Sequence, residues 1–425
     1  MSQNCPCLWT EVPQTSTTPC DRCKHACCAY DGYVYILGGR DNSTLRDFWR
    51  YSVVRNEWTE LSCRGETAPE EVEEHSMVVH KGFIYVFGGI LDSAYTALTC
   101  PLWVFDIAKQ KWLHCQRKTS SLQTQMPTNR KGHSAVVVGS SMLMYGGFID
   151  IKGSSQEFWS LDFDTMVWAL IGGNQHGSLS PGPRHSHSAM VYQTCMYLFG
   201  GLKGLREQRD FWKWNSDSCT WSSLKTKLGP SKLFGHSAVA YKDGMLLFGG
   251  GESQNYPNNF LWRYTFSTHT WSQVSTVPGS SRPPDKMHHC CVAIGAAYAG
   301  VCSEAHTRLE HGKFKPFKNK CFPAALTFLG SEGAIELQTF NLDKCPKAEC
   351  GGDPAETDTI VGSCLTYENR AFSKHWSCTE NELLDEDEDA EDISQHLPNL
   401  LLVLGGRPCA KYKPISVWQM TLGDT

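Results

Sequence analysis

At 425 residues and 47.5 kDa the chain is long enough for two or three ordinary domains, or for one repeat array with an addition. Charged residues make up 20 % and hydrophobic ones 41 %, with 37 glycines and 14 tryptophans, which excludes a disordered, collagen-like or coiled-coil protein. A formal net charge of -5 and a pI near 6.3 exclude the whole-molecule field that grips nucleic acid or an anionic membrane.

The chain opens MSQNCPCLWTE, without the basic flank and apolar run of a secretory signal. The longest small and apolar stretch, residues 290–301, falls short of the ~20 residues that cross a bilayer. A reducing compartment is expected, the cytoplasm, with the nucleus not excluded. The 20 cysteines, scattered and often inside strand-like runs, then read as buried small hydrophobes rather than a disulfide framework.

Taken in chain order, the first strand-like run opens at His25 (HACCAY), turns at Asp31-Gly32, and a second run ends in Gly38-Gly39. Trp49 and Trp58 mark two more runs, nine residues apart. The set recurs from His75, His133, His187 and His236, at spacings of 50, 58, 54 and 49 residues. In all five units the second glycine of the pair follows the histidine by 14 residues, and ten of the 14 tryptophans fall into the nine-residue pairs. The runs are short, β-branched or aromatic, and bounded by Gly, Asn, Asp or Lys turns, so each unit predicts four strands.

Four strands per ~50 residues is the period of a β-propeller blade, and the glycine pair, aromatic residue and late tryptophan resemble the kelch repeat. The resemblance covers about three quarters of the chain. It implies an all-β, six-bladed kelch-type propeller, in which glycines allow close approach of neighbouring chain and tryptophans pack blade on blade.

A sixth histidine, His289, opens HCCVAI, but Cys302-Ser303 stand where the glycine pair belongs, and the register returns only at LLLVLGG, ending at Gly406. Trp418 follows, and its partner would fall beyond Thr425. Leu8-Trp9-Thr10-Glu11-Val12 matches Glu57-Trp58-Thr59-Glu60-Leu61, so the N-terminal segment is expected to supply the last outer strand and close the ring. Residues 1–294 would then hold blades 1 to 5, this closing strand and the first strand of blade 6. Residues 295–397 form an acidic, cysteine-containing insertion, partly disordered, and 398–425 complete the last blade. A seven-bladed alternative rests on residues 324–342, which read as two strands around a Ser-Glu-Gly turn. Nine of the 13 residues from 380 to 392 are acidic, a solvated return loop or a docking strip for a basic partner.

The repeated histidines come from six different blades and are too far apart to converge on one metal, so each is expected to orient neighbouring structure. Cys5, Cys7, Cys20 and Cys23 near His25, and the insertion's Cys302, Cys321, Cys345, Cys350, Cys364 and Cys378, match no strong zinc spacing. No metal or cofactor is expected, and no catalytic residue. An alternative from the resemblance is a galactose-oxidase-like metal-dependent enzyme; Tyr95 and Tyr256 lie in suitable loops without an accompanying histidine set.

Binding sites gather on long loops over a rigid scaffold, here the segments after each glycine pair and those joining blades. These carry Arg40, Arg130, Lys131, Arg184, Arg206, Arg209 and Arg407, suited to forked bonds with the carboxylates of an acidic motif or a chain terminus. The expectation is a monomeric, non-enzymatic protein-interaction module, binding a protein or peptide and neither nucleic acid nor membrane. The insertion leaves from the opposite face and would offer a second surface. The kelch resemblance implies a ubiquitin-ligase substrate receptor, though without a BTB or F-box module, or an actin-associated scaffold.

Overall fold

The structure, a computed structural model, describes residues 7–14, 17–91, 101–113, 126–172, 179–295 and 399–422. They are all strand, turn and loop. Blade 1 shows the local logic. Ala26–Tyr30 runs antiparallel to Tyr33–Leu37 through the Asp31-Gly32 turn, whose positive φ at both residues matches the twist of a tight hairpin. Phe48–Ser52 and Glu57–Leu61 complete the sheet. The second strand of each blade lies between two sheets and is apolar on both faces, as in CMYLF, GMLLF and LLLVL, each buried throughout.

Six such four-stranded sheets are formed among the described residues. The first strands of blades 2 to 6 are Ser76–His80, Ser134–Val138, Ser188–Tyr192, Ser237–Tyr241 and Cys290–Ile294. Each touches the next, and the last touches Ala26–Tyr30, so the six close on one another. That settles the blade count at six. The segment 324–342 behind the seven-bladed alternative lies outside the described residues, as does the acidic run 380–392.

The last blade takes strands from both ends of the sequence. Cys290–Ile294 pairs with Leu400–Leu404, that with Val417–Leu422, and that with Cys7–Glu11. Trp9 lies opposite Met420, two residues past Trp418, as Trp58 lies opposite Tyr51, two past Trp49. The chain leaves this blade at Ile294 and returns at Leu400, which face each other where blade 1 has its two-residue turn.

No single central core exists among these residues. Six apolar clusters form instead, one at each seam between blades. The outer-strand tryptophan of each blade is a main part: Trp112 sits 5.3 Å from Phe48 of blade 1, Trp271 5.5 Å from Phe211 of blade 4, and Trp9 5.4 Å from Phe248 of blade 5. A fully buried ring of this size adds roughly 2–3 kcal/mol over an exposed one, so stability lies between blades more than within them. No helix of the structure is long and apolar enough to cross a membrane.

Candidate functional site

The fixed 14-residue offset has a geometric cause at the seams. A Cβ on Gly89 would lie 2.7 Å from the Cβ of His75 in the same blade, and one on Gly88 would lie 2.9 Å from the ring of His133 in the next. The histidine therefore threads past the second glycine of its own blade and the first glycine of the blade before. The second glycine also donates its N–H to the carbonyl three residues before the next histidine: Gly39 to Val72 at 2.9 Å, Gly89 to Arg130 at 3.0 Å, and so round the ring to Gly406 and Arg22 at 2.8 Å. Three of the six seam histidines pair one ring nitrogen across a seam, His236 Nε2 with Phe199 O at 3.2 Å among them. His133 Nε2 meets Ser76 Oγ at 2.8 Å and His187 Nε2 meets Ser134 Oγ at 2.8 Å. Burial holds His75 and His133 down to about 3 and His236 to about 4, so these imidazoles are neutral bolts between blades.

The position three before the histidine explains two of the expected site residues. Arg130 and Arg184 are 1 % and 0 % exposed. Arg184 makes two bonds to Asp210 (2.8 and 2.7 Å), one to Gly200 O at 2.8 Å, and one to Pro181 O. Arg130 holds Glu157 at 2.6 Å and Gly146 O at 3.1 Å. Both guanidinium groups are therefore internal braces, inside the blade rather than on its loop face. Arg22 does the same in blade 1, with Asp47 at 2.6 and 2.7 Å. The acid in each case stands two residues before the first tryptophan and also accepts that tryptophan's N–H, as Asp210 does from Trp212 at 2.7 Å.

The brace varies as a pair along the chain. Blades 1, 3 and 4 carry Arg22/Asp47, Arg130/Glu157 and Arg184/Asp210; blade 2 carries Val72/Pro101 and blade 5 Leu233/Phe260. Blade 6 carries Lys286/Ser416, joined at 2.9 Å. Removing one partner of a buried pair strands the other charge. Arg184→Leu is expected to cost about 3 kcal/mol in urea unfolding. Arg184→Leu with Asp210→Phe, the combination blade 5 already uses, is expected to recover at least half of it. Additive losses would show that the two positions are not coupled.

The face carrying the glycine pairs narrows to a mouth at the axis. The residue just before each histidine adopts positive φ in every blade: Lys24, Glu74, Gly132, Ser186, Gly235 and His288. Each donates its N–H to the carbonyl of its counterpart in the preceding blade at 2.7–3.0 Å, and the six bonds close into a ring. The side chains of this ring and of its neighbours line the mouth. Lys24 Nζ lies 2.8 Å from Glu74 Oε1. Burial works to raise Glu74, but Lys24 and His288 beside it carry it below the usual carboxylate range. Burial lowers His288 to about 4 and also lowers His185, so both are neutral at physiological pH.

Two of the expected site residues, Arg40 and Lys131, come together here. Arg40 lies 3.1 Å and Lys131 3.6 Å from the buried carboxylate of Glu73, which bridges blades 1 and 3 from blade 2. Arg407 follows the glycine pair of blade 6 as Arg40 does that of blade 1; its backbone pairs with Met287, and its side chain is exposed. Arg206 and Arg209 are exposed in blade 4, where Leu202–Lys203 and Arg206–Glu207 form a small hairpin. Among the described residues no carboxylate pairs with Arg206, Arg209 or Arg407.

Sequence reasoning missed Lys24, Glu73, Glu74, His185 and His288. Their signal is a pair of changing positions immediately before an otherwise repeated histidine. Tyr256 is 75 % exposed on the loop after Gly250, and Tyr95 lies outside the described residues. Of the cysteines considered as ligands, Cys5 and those of the insertion lie outside the described residues, while Cys7 sits on the outermost strand of blade 6, bridged to Thr276, and Cys23 precedes the first strand of blade 1, bridged to Arg40.

The chain resembles several curated proteins. It is 25 % identical over 290 residues to putative protein tag-53 of Caenorhabditis elegans, covering 64 % of this chain and 21 % of that protein. Kelch domain-containing protein 10 of Xenopus laevis is 25 % identical over 228 residues, 51 % of this chain and 53 % of the relative. Host cell factor 2 of Homo sapiens is 27 % identical over 334 residues, 68 % and 40 %. The chain thus spans about half or less of the length of these relatives. The family described as the KLHDC2/KLHL20/DRC7 Kelch-repeats domain matches residues 5–89 and 83–299. With five whole blades, six seam histidines and five glycine pairs inside that match, the chain belongs to this kelch-repeat family.

Proposed function

We propose that the propeller is a non-enzymatic protein-interaction module that takes an acidic segment, or the carboxylate end of a chain, at the mouth on its glycine-pair face. One observation carries this reading: Lys24, Arg40 and Lys131 gather from blades 1 and 3 on Glu73 and Glu74 of blade 2 beside the ring of backbone bonds, and the exposed Arg407 of blade 6 acts on His288 of that ring. A ligand carboxylate would displace or join Glu73 between Arg40 and Lys131 and complete its coordination at Arg407. Arg206 and Arg209 extend the basic surface toward blade 4. Membership of the kelch-repeat family supports the protein-binding part of the reading, and a substrate receptor or a cytoskeletal scaffold would use the same mouth.

Fluorescence anisotropy with labelled acidic peptides tests it. Peptides with a free C-terminal carboxylate are expected to bind the full chain, and Arg407→Glu, which breaks no ion pair among the described residues, to weaken them at least tenfold, about 1.4 kcal/mol. Arg206→Glu with Arg209→Glu should weaken longer peptides more than short ones, and all binding should decline with salt. Equal affinity of the parent protein and Arg407→Glu for every acidic peptide would overturn the mouth as the site.

A further inference from the structure

The seam between blade 6 and blade 1 differs from the others in its chemistry. In blades 2 and 3 the residue after the histidine is a serine, and its hydroxyl meets the next blade's imidazole at 2.8 Å. At the closing seam that position is Cys290, facing His25, and Cys27 lies two residues beyond His25 on the same side of its strand. One ligand atom from each of His25, Cys27 and Cys290 lies within 4.8 Å of the other two. Among the described residues, no other group of three such side chains converges in this way. His25 is 5 % exposed, and neither of its ring nitrogens meets a hydrogen-bond partner. His75 and His289 are equally unpartnered, but no group of three ligand side chains forms around either.

We propose that His25, Cys27 and Cys290 form a buried site for one thiophilic d10 metal ion, Zn2+ or Cu+, that fastens blade 6 to blade 1. Two thiolates and an imidazole are the soft donor set these ions share, and binding expels the thiol protons as the two metal–sulfur bonds form. Around a zinc ion with bonds of about 2.3 Å to sulfur and about 2.0 Å to nitrogen, ligand atoms stand a little under 4 Å apart, so the site closes on an ion with small side-chain shifts. The charge also balances in a dry interior: Zn2+ with two thiolates is neutral, and Cu+ leaves a single negative charge. The ion would use the imidazole nitrogen that the buried His25 otherwise leaves unpaired. Both strands are inner strands, so the ion enters while the ring is closing and is held afterwards.

The full chain, refolded from denaturant under reducing conditions with Zn2+ or with Cu+ and passed through a desalting column, is measured for bound metal. The parent protein is expected to keep one equivalent more than Cys290→Ser, and the difference between the two metals names the ion. Cys290→Ser restores the serine found at four of the other five seams, so this variant should fold; Cys27→Ser is the second variant. Refolding with Co2+ should give a thiolate-to-cobalt charge-transfer band in the near ultraviolet that is absent from both variants. Metal-loaded parent protein should unfold several degrees above the metal-free form, and the variants should show no such shift. Equal metal content in the parent and Cys290→Ser overturns the proposal. So does a folded parent protein whose Cys27 and Cys290 are joined as a disulfide, or both reduced and metal-free after loading.

Discussion

Between pH 6.5 and 4.5 the propeller is expected to lose most of its stability, well before the range in which carboxylates are titrated. The seam histidines set this. Burial holds His75 and His133 to about 3, His236 to about 4, and His187 and His289 well below the ordinary imidazole value. An unfolded chain protonates all five near pH 6.5, so in this window the unfolded state binds more protons and stability rises with pH. Stability is full above the unfolded value and declines as pH falls below it, at about 7 kcal/mol per pH unit once all five are engaged. Against a typical total of about 5–15 kcal/mol, one or two units suffice. The carboxylates act lower down. Burial tends to raise Asp47, Glu157 and Asp210, but their arginine bonds overcome it, so their contribution is lost only as pH falls below the ordinary carboxylate range. Thermal unfolding followed by tryptophan fluorescence from pH 7.5 to 4.5 measures the slope. A dependence no steeper than one proton would mean that the seam imidazoles are not buried neutral groups.

Gly201→Ala is expected to cost about 4 kcal/mol. Gly201 has φ of +88°, and the new Cβ would lie 2.7 Å from the carbonyl oxygen of His185 and 2.7 Å from the Cβ of His187. Neither can move without shifting a backbone that the seam holds by hydrogen bonds: Gly201 N–H to Leu233 O at 2.8 Å and Leu202 N–H to His185 O at 2.8 Å. Gly204→Ala is the control, since its φ of +58° carries the backbone strain of about 1–2 kcal/mol but nothing lies within 4 Å of the added carbon. Urea unfolding of the two variants separates strain from collision. Equal losses would show that the close approach at the seam is not rigid.

Much of this fold is legible in the residues because the same physical demand is met six times. The histidine, the glycine pair and the outer tryptophan each answer to a neighbour in the next blade, and a demand that repeats leaves a period. Trp9 is readable as the missing outer tryptophan for the same reason: its register opposite Met420 repeats that of Trp58 opposite Tyr51. The arginines were less legible. A loop position predicts solvent for Arg130 and Arg184, yet their carbonyls receive the N–H of the preceding blade's second glycine, which draws both residues into the seam. The correlated acid two residues before the tryptophan is visible in the sequence once the repeats are aligned, and its replacement by Pro101 and Phe260 in blades lacking the arginine marks the pair as internal. The mouth is hard to read because Lys24, Glu74, Ser186 and His288 are unlike each other. They share only a backbone conformation, which composition does not report.

That shared conformation separates two tasks that most binding surfaces combine. Each residue of the axial ring satisfies its own N–H and C=O through its neighbours, so the frame asks little of the four side chains at Lys24, Glu74, Ser186 and His288 beyond tolerance of positive φ. The mouth can therefore change charge and size at these positions at little cost to the ring, and a new ligand preference is open to the molecule without a new fold.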